Sequence, residues 1–120
     1  MSTQDPMTKY AKCADTEQLA QAEKLIEEEP DNLSLVEWVA FLHYTNQNFK
    51  RAIELFSKLV KVDSKNEGHL YYLANSLYKT SQLAMARMYW RKVISTNPDG
   101  KFADKARGLL NQFVAEPSAA

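Results

Sequence analysis

Between Leu33 and Gly100 the large, small and polar positions of the chain recur in a fixed register, with no gap. Val36 falls on Leu70, Val39 on Leu73, Ala40 on Ala74, Tyr44 on Tyr78 and Phe49 on Leu83. Ala52, Phe56, Leu59 and Val60 fall on Ala86, Trp90, Val93 and Ile94. A period of this length is the signature of stacked helical hairpins, because one hairpin cannot bury its own apolar face and needs a neighbour.

Within each period the apolar spacing predicts two helices, A and B. In the first repeat, A runs from about Leu33 to Thr45 and B from about Phe49 to Val62. Asn46-Gln47-Asn48 is the turn between them, since Asn tolerates the left-handed conformation such turns need. Helix A is apolar nearly all round (Leu35, Val36, Trp38, Val39, Ala40, Phe41, Leu42), which predicts burial on two sides or a binding surface. Helix B is two-faced, with Ile53, Phe56, Leu59 and Val60 inward and Lys50, Arg51, Glu54, Lys58 and Lys61 outward. The second repeat places A at Gly68 to Lys79, a turn at Thr80-Ser81-Gln82, and B at Ala84 to Ser95, closed by the stop cluster Thr96 to Gly100.

The register continues on both sides. Asp15 or Thr16 can cap a helix, with Gln18 in the capping-box position relative to Asp15. Leu19, Ala22, Leu25 and Ile26 form its apolar face, and Glu17, Glu23, Lys24, Glu27 and Glu28 the other; Pro30 ends it. Ala22, Leu25, Ile26 and Pro30 stand one period before Phe56, Leu59, Val60 and Ser64, so this helix is a half repeat. A last helix, Lys101 to about Ala115, carries Phe102, Ala106, Leu109, Leu110 and Phe113 and suits a solvating cap. The organisation expected is a flexible segment 1–13, one domain 14–115 with repeats 33–66 and 67–100 and a capping helix 101–115, and a loose tail 116–120. Met1 and the two polar ends fit a complete small protein.

Composition narrows the function class. The formal net charge is zero, with 15 basic and 15 acidic side chains, and this disfavours nucleic acid or an anionic membrane as the main partner. The charge is uneven: residues 1–32 carry 3 basic and 8 acidic groups, residues 33–100 carry 9 and 5. Such a contrast either steers a partner or reflects solvated helix faces. The single cysteine, Cys13, allows no internal disulfide and has no catalytic neighbour in helical register. No signal-peptide pattern and no apolar run of membrane-spanning length occurs, so the cytoplasm is the expected location.

On these residues the chain resembles the tetratricopeptide-repeat (TPR) family, whose 34-residue pattern is W-x2-L-G-x2-Y, then A-x3-F, A and P. The matching positions are Leu70, Leu73, Ala74, Leu77, Ala86, Trp90, Val93 and Pro98 in the second repeat. In the first they are Val36, Val39, Ala40, His43, Ala52, Phe56, Leu59 and Ser64. His43 and Leu77 replace the usual Tyr, and Ser64 the Pro. The resemblance covers roughly residues 15 to 115. It implies an all-α fold, a right-handed superhelical stack of antiparallel helix hairpins (a TPR-like α-solenoid), with two full repeats, a preceding half repeat and a capping helix.

The resemblance further implies a concave wall built chiefly by the A helices, where an extended peptide or partner helix lies. By register, Glu37, Phe41, Tyr44, Tyr71, Asn75, Tyr78, Lys79, Phe102 and Lys105 belong to that wall. Aromatic side chains there offer large contact area at low entropic cost. Asn75 can hydrogen-bond a peptide through both ends of its amide, and the lysines can meet acidic side chains. The competing reading is that several of these aromatics simply pack between neighbouring A helices. The carboxylate clamp of chaperone-binding members is missing, because its positions hold Glu37, Phe41, Tyr72, Phe102 and Ala106.

Catalysis is not expected. His43 and His69 have no Cys or acidic partner at a recognisable spacing; His43 reads as an interfacial core residue and His69 as a surface one. No phosphate-binding loop, dinucleotide fingerprint or metal-ligand spacing occurs, so neither cofactor nor metal is predicted. The reading is therefore a protein–protein interaction module or adaptor, with another protein or peptide segment as partner. The alternative is an assembly subunit that forms a homodimer or larger oligomer through apolar stack ends, burying the helix around Trp38.

Overall fold

The computed structural model describes residues 15–114, with the side chain of Val114 excepted. The expected flexible segment 1–13 with Cys13, the end of the last helix at Ala115 and the tail 116–120 lie outside the described residues. Six helices and no strand occur among the described residues: α1 Thr16–Glu28, α2 Leu33–Thr45, α3 Phe49–Val62, α4 Glu67–Lys79, α5 Leu83–Thr96 and α6 Lys101–Val114.

The period seen in the sequence is reproduced by the backbone. The bounds of α2 and α3 recur one period later as those of α4 and α5, and the start of α4 recurs as the start of α6. The ends match atom by atom. Asn32 caps α2 by accepting from the Leu35 N–H at 3.2 Å, and Asn66 caps α4 by accepting from the His69 N–H at 3.0 Å. After α2 the N–H of Asn48 reaches the carbonyl of His43 (2.8 Å) and that of Gln47 the carbonyl of Tyr44 (3.0 Å). After α4 the N–H of Gln82 reaches Leu77 (2.8 Å) and that of Ser81 reaches Tyr78 (3.0 Å). Both are Schellman closures, which need a left-handed residue after the cap. That residue is Gln47 (φ 64°) in one and Ser81 (φ 68°) in the other. The fold is an all-α TPR-like helical repeat.

The chain divides into two compact units between Ser64 and Lys65. In the first, α1 starts with the expected capping box: Asp15 accepts from the Gln18 N–H at 2.8 Å and donates its own N–H to the Gln18 side chain at 3.0 Å. Ala22 and Ile26 are buried. Leu25, on the apolar face by periodicity, is instead 40% exposed. Val36, Val39, Ala40 and Phe41 of α2 meet Ala52, Leu55, Phe56 and Leu59 of α3 in the core, where the rings of Phe41 and Phe56 stand edge-to-face at 5.1 Å. Lys58 donates to the Pro30 carbonyl at 2.6 Å, which ties α3 to the turn after α1.

In the second unit α4 is buried almost all round, from Gly68 to Leu77 save Asn75. His69, expected at the surface, is buried for that reason, at 7% exposure. Ser76 sits at 0% exposure and donates its hydroxyl back to the Tyr72 carbonyl at 2.8 Å, which satisfies it within the helix. Trp90 is the largest fully buried side chain and anchors α5; Phe102, Ala103 and Ala106 bury α6. Gly100 opens α6 where a Cβ would stand 2.7 Å from both the Asn97 amide nitrogen and Glu67 Oε1. Those two side chains are themselves joined, Asn97 donating to Glu67 at 3.0 Å.

Candidate functional site

The predicted wall residues fall in both units. In the first, Phe41 is at 0% exposure, packed on Phe56, and presents no surface. Glu37 and Tyr44 are half-buried, and the Tyr44 ring meets Phe49 at 5.5 Å and Phe56 at 6.4 Å.

In the second unit Tyr71, Phe102 and Lys105 meet at one end of the seam of α4 and α6 and Tyr78 lies at the other, while Asn75 reaches Trp90 of α5 and Lys79 is exposed in the last turn of α4. At one end the ring of Tyr71 lies 5.3 Å from Phe102, and Tyr72 lies 5.1 Å from Tyr71 and 6.1 Å from Phe102. Two turns on, Tyr78 lies 4.7 Å from Phe113, and both approach Trp90 at 6.1 Å, Phe113 stacked parallel to it. Phe113 belongs by sequence to the cap's apolar stripe, and its share in this seam is a finding of the structure. The signal for it is spacing: Phe113 follows Phe102 by three helical turns, which returns it to the same face.

Charge lies over these rings. The Lys105 ammonium stands 5.8 Å from the centroid of Tyr71 and 5.6 Å from that of Phe102, and Lys101 stands 5.5 Å from Phe102. Cations at this range are attracted by the ring quadrupole. Lys79 and Lys105 are exposed, Asn75 and Tyr78 half-buried, and Tyr71 and Phe102 nearly closed off. Asn75 differs from the expectation in one respect. Its side-chain oxygen accepts the indole N–H of Trp90 at 3.0 Å, so that end of the amide is committed to the core.

The first unit holds a polar centre that periodicity does not reveal. Glu23, an outer-face acid by its place in the helix, instead turns its carboxylate to Arg51. It receives Nη2 at 2.6 Å and Nε at 2.7 Å, while Nε2 of His43 lies 2.6 Å from Oε2. Asn48 closes the set, its amide nitrogen 3.2 Å from His43 Nδ1. With Nε2–H donating to Glu23, Nδ1 accepts from the Asn48 amide, roles assigned from the contacts. The forked bond from Arg51 is the main cause that holds the Glu23 carboxyl below its ordinary range. Partial burial opposes it, and His43 adds to it. The Arg51 guanidinium is in turn pushed above its usual value, chiefly by Glu23. The partners lie 20 and 28 residues from Glu23, so the set spans three helices, α1, α2 and α3. The centre therefore serves to lock α1 onto α2 and α3.

Beside it lies a cleft of about 240 Å³ lined by Ile26, Glu27, Arg51, Leu55 and Lys58 among others. Arg51 is engaged by Glu23 and Glu54 and Lys58 by the Pro30 carbonyl, which leaves the cleft little polar reach toward a ligand. Among the described residues no group of three or more His, Cys, Asp or Glu is arranged to hold a metal, and no helix is long and apolar enough to cross a membrane.

The family model described as "Anaphase-promoting complex, cyclosome, subunit 3" matches residues 11–93, more than half of the chain. Neither a curated protein nor a solved structure matches the chain. With the recurrence of caps, turns and helix bounds, the family match shows that the chain belongs to the anaphase-promoting complex, cyclosome, subunit 3 family, a family of the TPR repeat type.

Proposed function

We propose that the protein is a binding module that holds an extended segment or a helix of another protein, with the α4–α6 seam as the main contact. The observation that carries this is the pairing of rings and cations there: Tyr71 with Phe102 and Tyr78 with Phe113, with Lys105 over the first pair and Lys79 exposed in the last turn of α4. Tyr78, half-buried, gives a partner apolar contact area, and the lysines give it a carboxylate-binding rim. The partner that suits this surface is an acidic segment with an apolar or aromatic anchor. The family is named for a subunit of a multi-protein complex, in keeping with action by binding and not by catalysis.

The test is affinity capture of native-cell proteins on the full chain, read by mass spectrometry, beside a Lys79→Glu/Lys105→Glu variant. Both lysines are exposed, and circular dichroism checks that the helices persist. Partners retained by the wild type and lost at least roughly ten-fold by the variant support the reading, since reversing two interfacial charges costs on the order of 1.4 kcal/mol or more. An unchanged set of partners overturns it.

A further inference from the structure

Four large hydrophobic side chains are left exposed among the described residues: Leu25, Val62, Met85 and Met88. Three of them sit in complementary charge settings. On α5, Met85 and Met88 are 44% and 45% exposed and are followed on the same stripe by exposed Arg91 and Lys92. The helix also carries Arg87 and has no acidic residue. On α1, Leu25 is followed by Glu28 and by its C-cap residue Glu29. Glu29 accepts one hydrogen bond from Asn32 and is otherwise exposed. The contrast extends along the described chain: residues 15–32 carry 1 basic and 7 acidic groups, residues 65–114 carry 8 and 3.

The spacing makes the two faces fit. Leu25 precedes its two acids by three and four residues, and Met88 precedes its two bases by the same intervals. Residues at those intervals share one face of a helix. Two such helices laid side by side in the same direction set Leu25 against Met85 and Met88, and Glu28 and Glu29 against Arg91 and Lys92.

We infer that a second copy of this chain docks its α1 face (Leu25, Glu28, Glu29) on the α5 face (Met85, Met88, Arg91, Lys92), in a head-to-tail contact. The two faces differ, so each contact takes one face from each copy. It involves neither α4 nor α6 and stands whether or not the seam binds a partner. The patch spans one to two turns of helices about 20 Å long, well short of the roughly 1,200–2,000 Å² of a standard stable interface. The association is therefore weak, concentration-dependent and sensitive to salt, because its charged pairs are solvent-accessible.

Sedimentation velocity of the full chain tests it, over roughly 10 µM to 1 mM, the range that brackets weak interfaces. At low salt the weight-average mass should rise with concentration, and in about 0.5 M salt it should fall back toward the monomer. Leu25→Ser/Glu28→Gln removes one face and Met88→Ser/Arg91→Gln the other; all four side chains are exposed, and circular dichroism checks that the helices persist. Each variant alone should be monomeric. An equimolar mixture should recover association and stop at a pair, because each variant still supplies one intact face. A wild type that stays monomeric at low salt overturns the inference, as does association that survives either variant or that mixing fails to restore. If a variant loses its helices, the salt dependence of the wild type still decides.

Discussion

Trp90 donates its indole N–H to the side-chain oxygen of Asn75 across 3.0 Å, and this one bond joins the largest buried side chain of α5 to the half-buried middle of α4. Asn75→Ala leaves a buried donor with no acceptor, and the cost should be about 1–3 kcal/mol. Asn75→Asp keeps an acceptor at the same reach and should lose clearly less. Urea unfolding of both variants checks this. Equal losses would mean that the bond contributes little and that Asn75 matters for other contacts.

Gln47 and Ser81 hold left-handed backbone in two equivalent turns, where a Cβ is sterically penalised by about 1–2 kcal/mol. Gln47→Gly and Ser81→Gly should each raise stability by about 0.5–1 kcal/mol after the extra freedom glycine gains in the unfolded chain is subtracted. The two should add, since they occupy separate turns. Asn46→Gly, one residue earlier at φ −92°, relieves nothing and should destabilise. Thermal melts that rank these three differently would contradict the turn assignment.

Glu23 makes stability depend on acid in a defined direction. Its folded pKa lies below the ordinary carboxylate value, so the folded state favours the ionised form. The stabilisation is present above the unfolded-state pKa and is lost as pH falls through the lowered folded value. Wild type should exceed Glu23→Gln in stability at neutral pH, and the gap should close as the solution is acidified through the carboxylate range. A gap that is constant with pH would show that the carboxylate's charge is not what Arg51 and His43 recognise.

The helices and the places of the turns are legible in the sequence because each is fixed by neighbours in the chain, although the left-handed residue of the first turn is Gln47 and not a flanking Asn. The expected bounds of α2 and α3 coincide with those observed, and those of α4 and α5 are off by one residue. The capping box at Asp15 is legible for the same reason. Side chains whose partners lie far along the chain are not. Glu23 reads as an outer-face acid because helical periodicity sorts positions by hydrophobicity. A carboxylate that turns inward to an arginine 28 residues away has the same local pattern as one facing water. His69 reads as exposed because its polarity outweighs the apolar setting of α4.

The repeat period by itself determined the fold class and the six helices found among the described residues, since backbone hydrogen bonds and caps are satisfied within a few residues. Only the tertiary structure decided that Phe41 is closed off and Phe113 joins Tyr78. It also decided that Asn75 serves Trp90 and that Leu25, Met85 and Met88 remain exposed. Those outcomes depend on how neighbouring helices cross, which sets the side-chain partners and which periodicity along one helix does not specify.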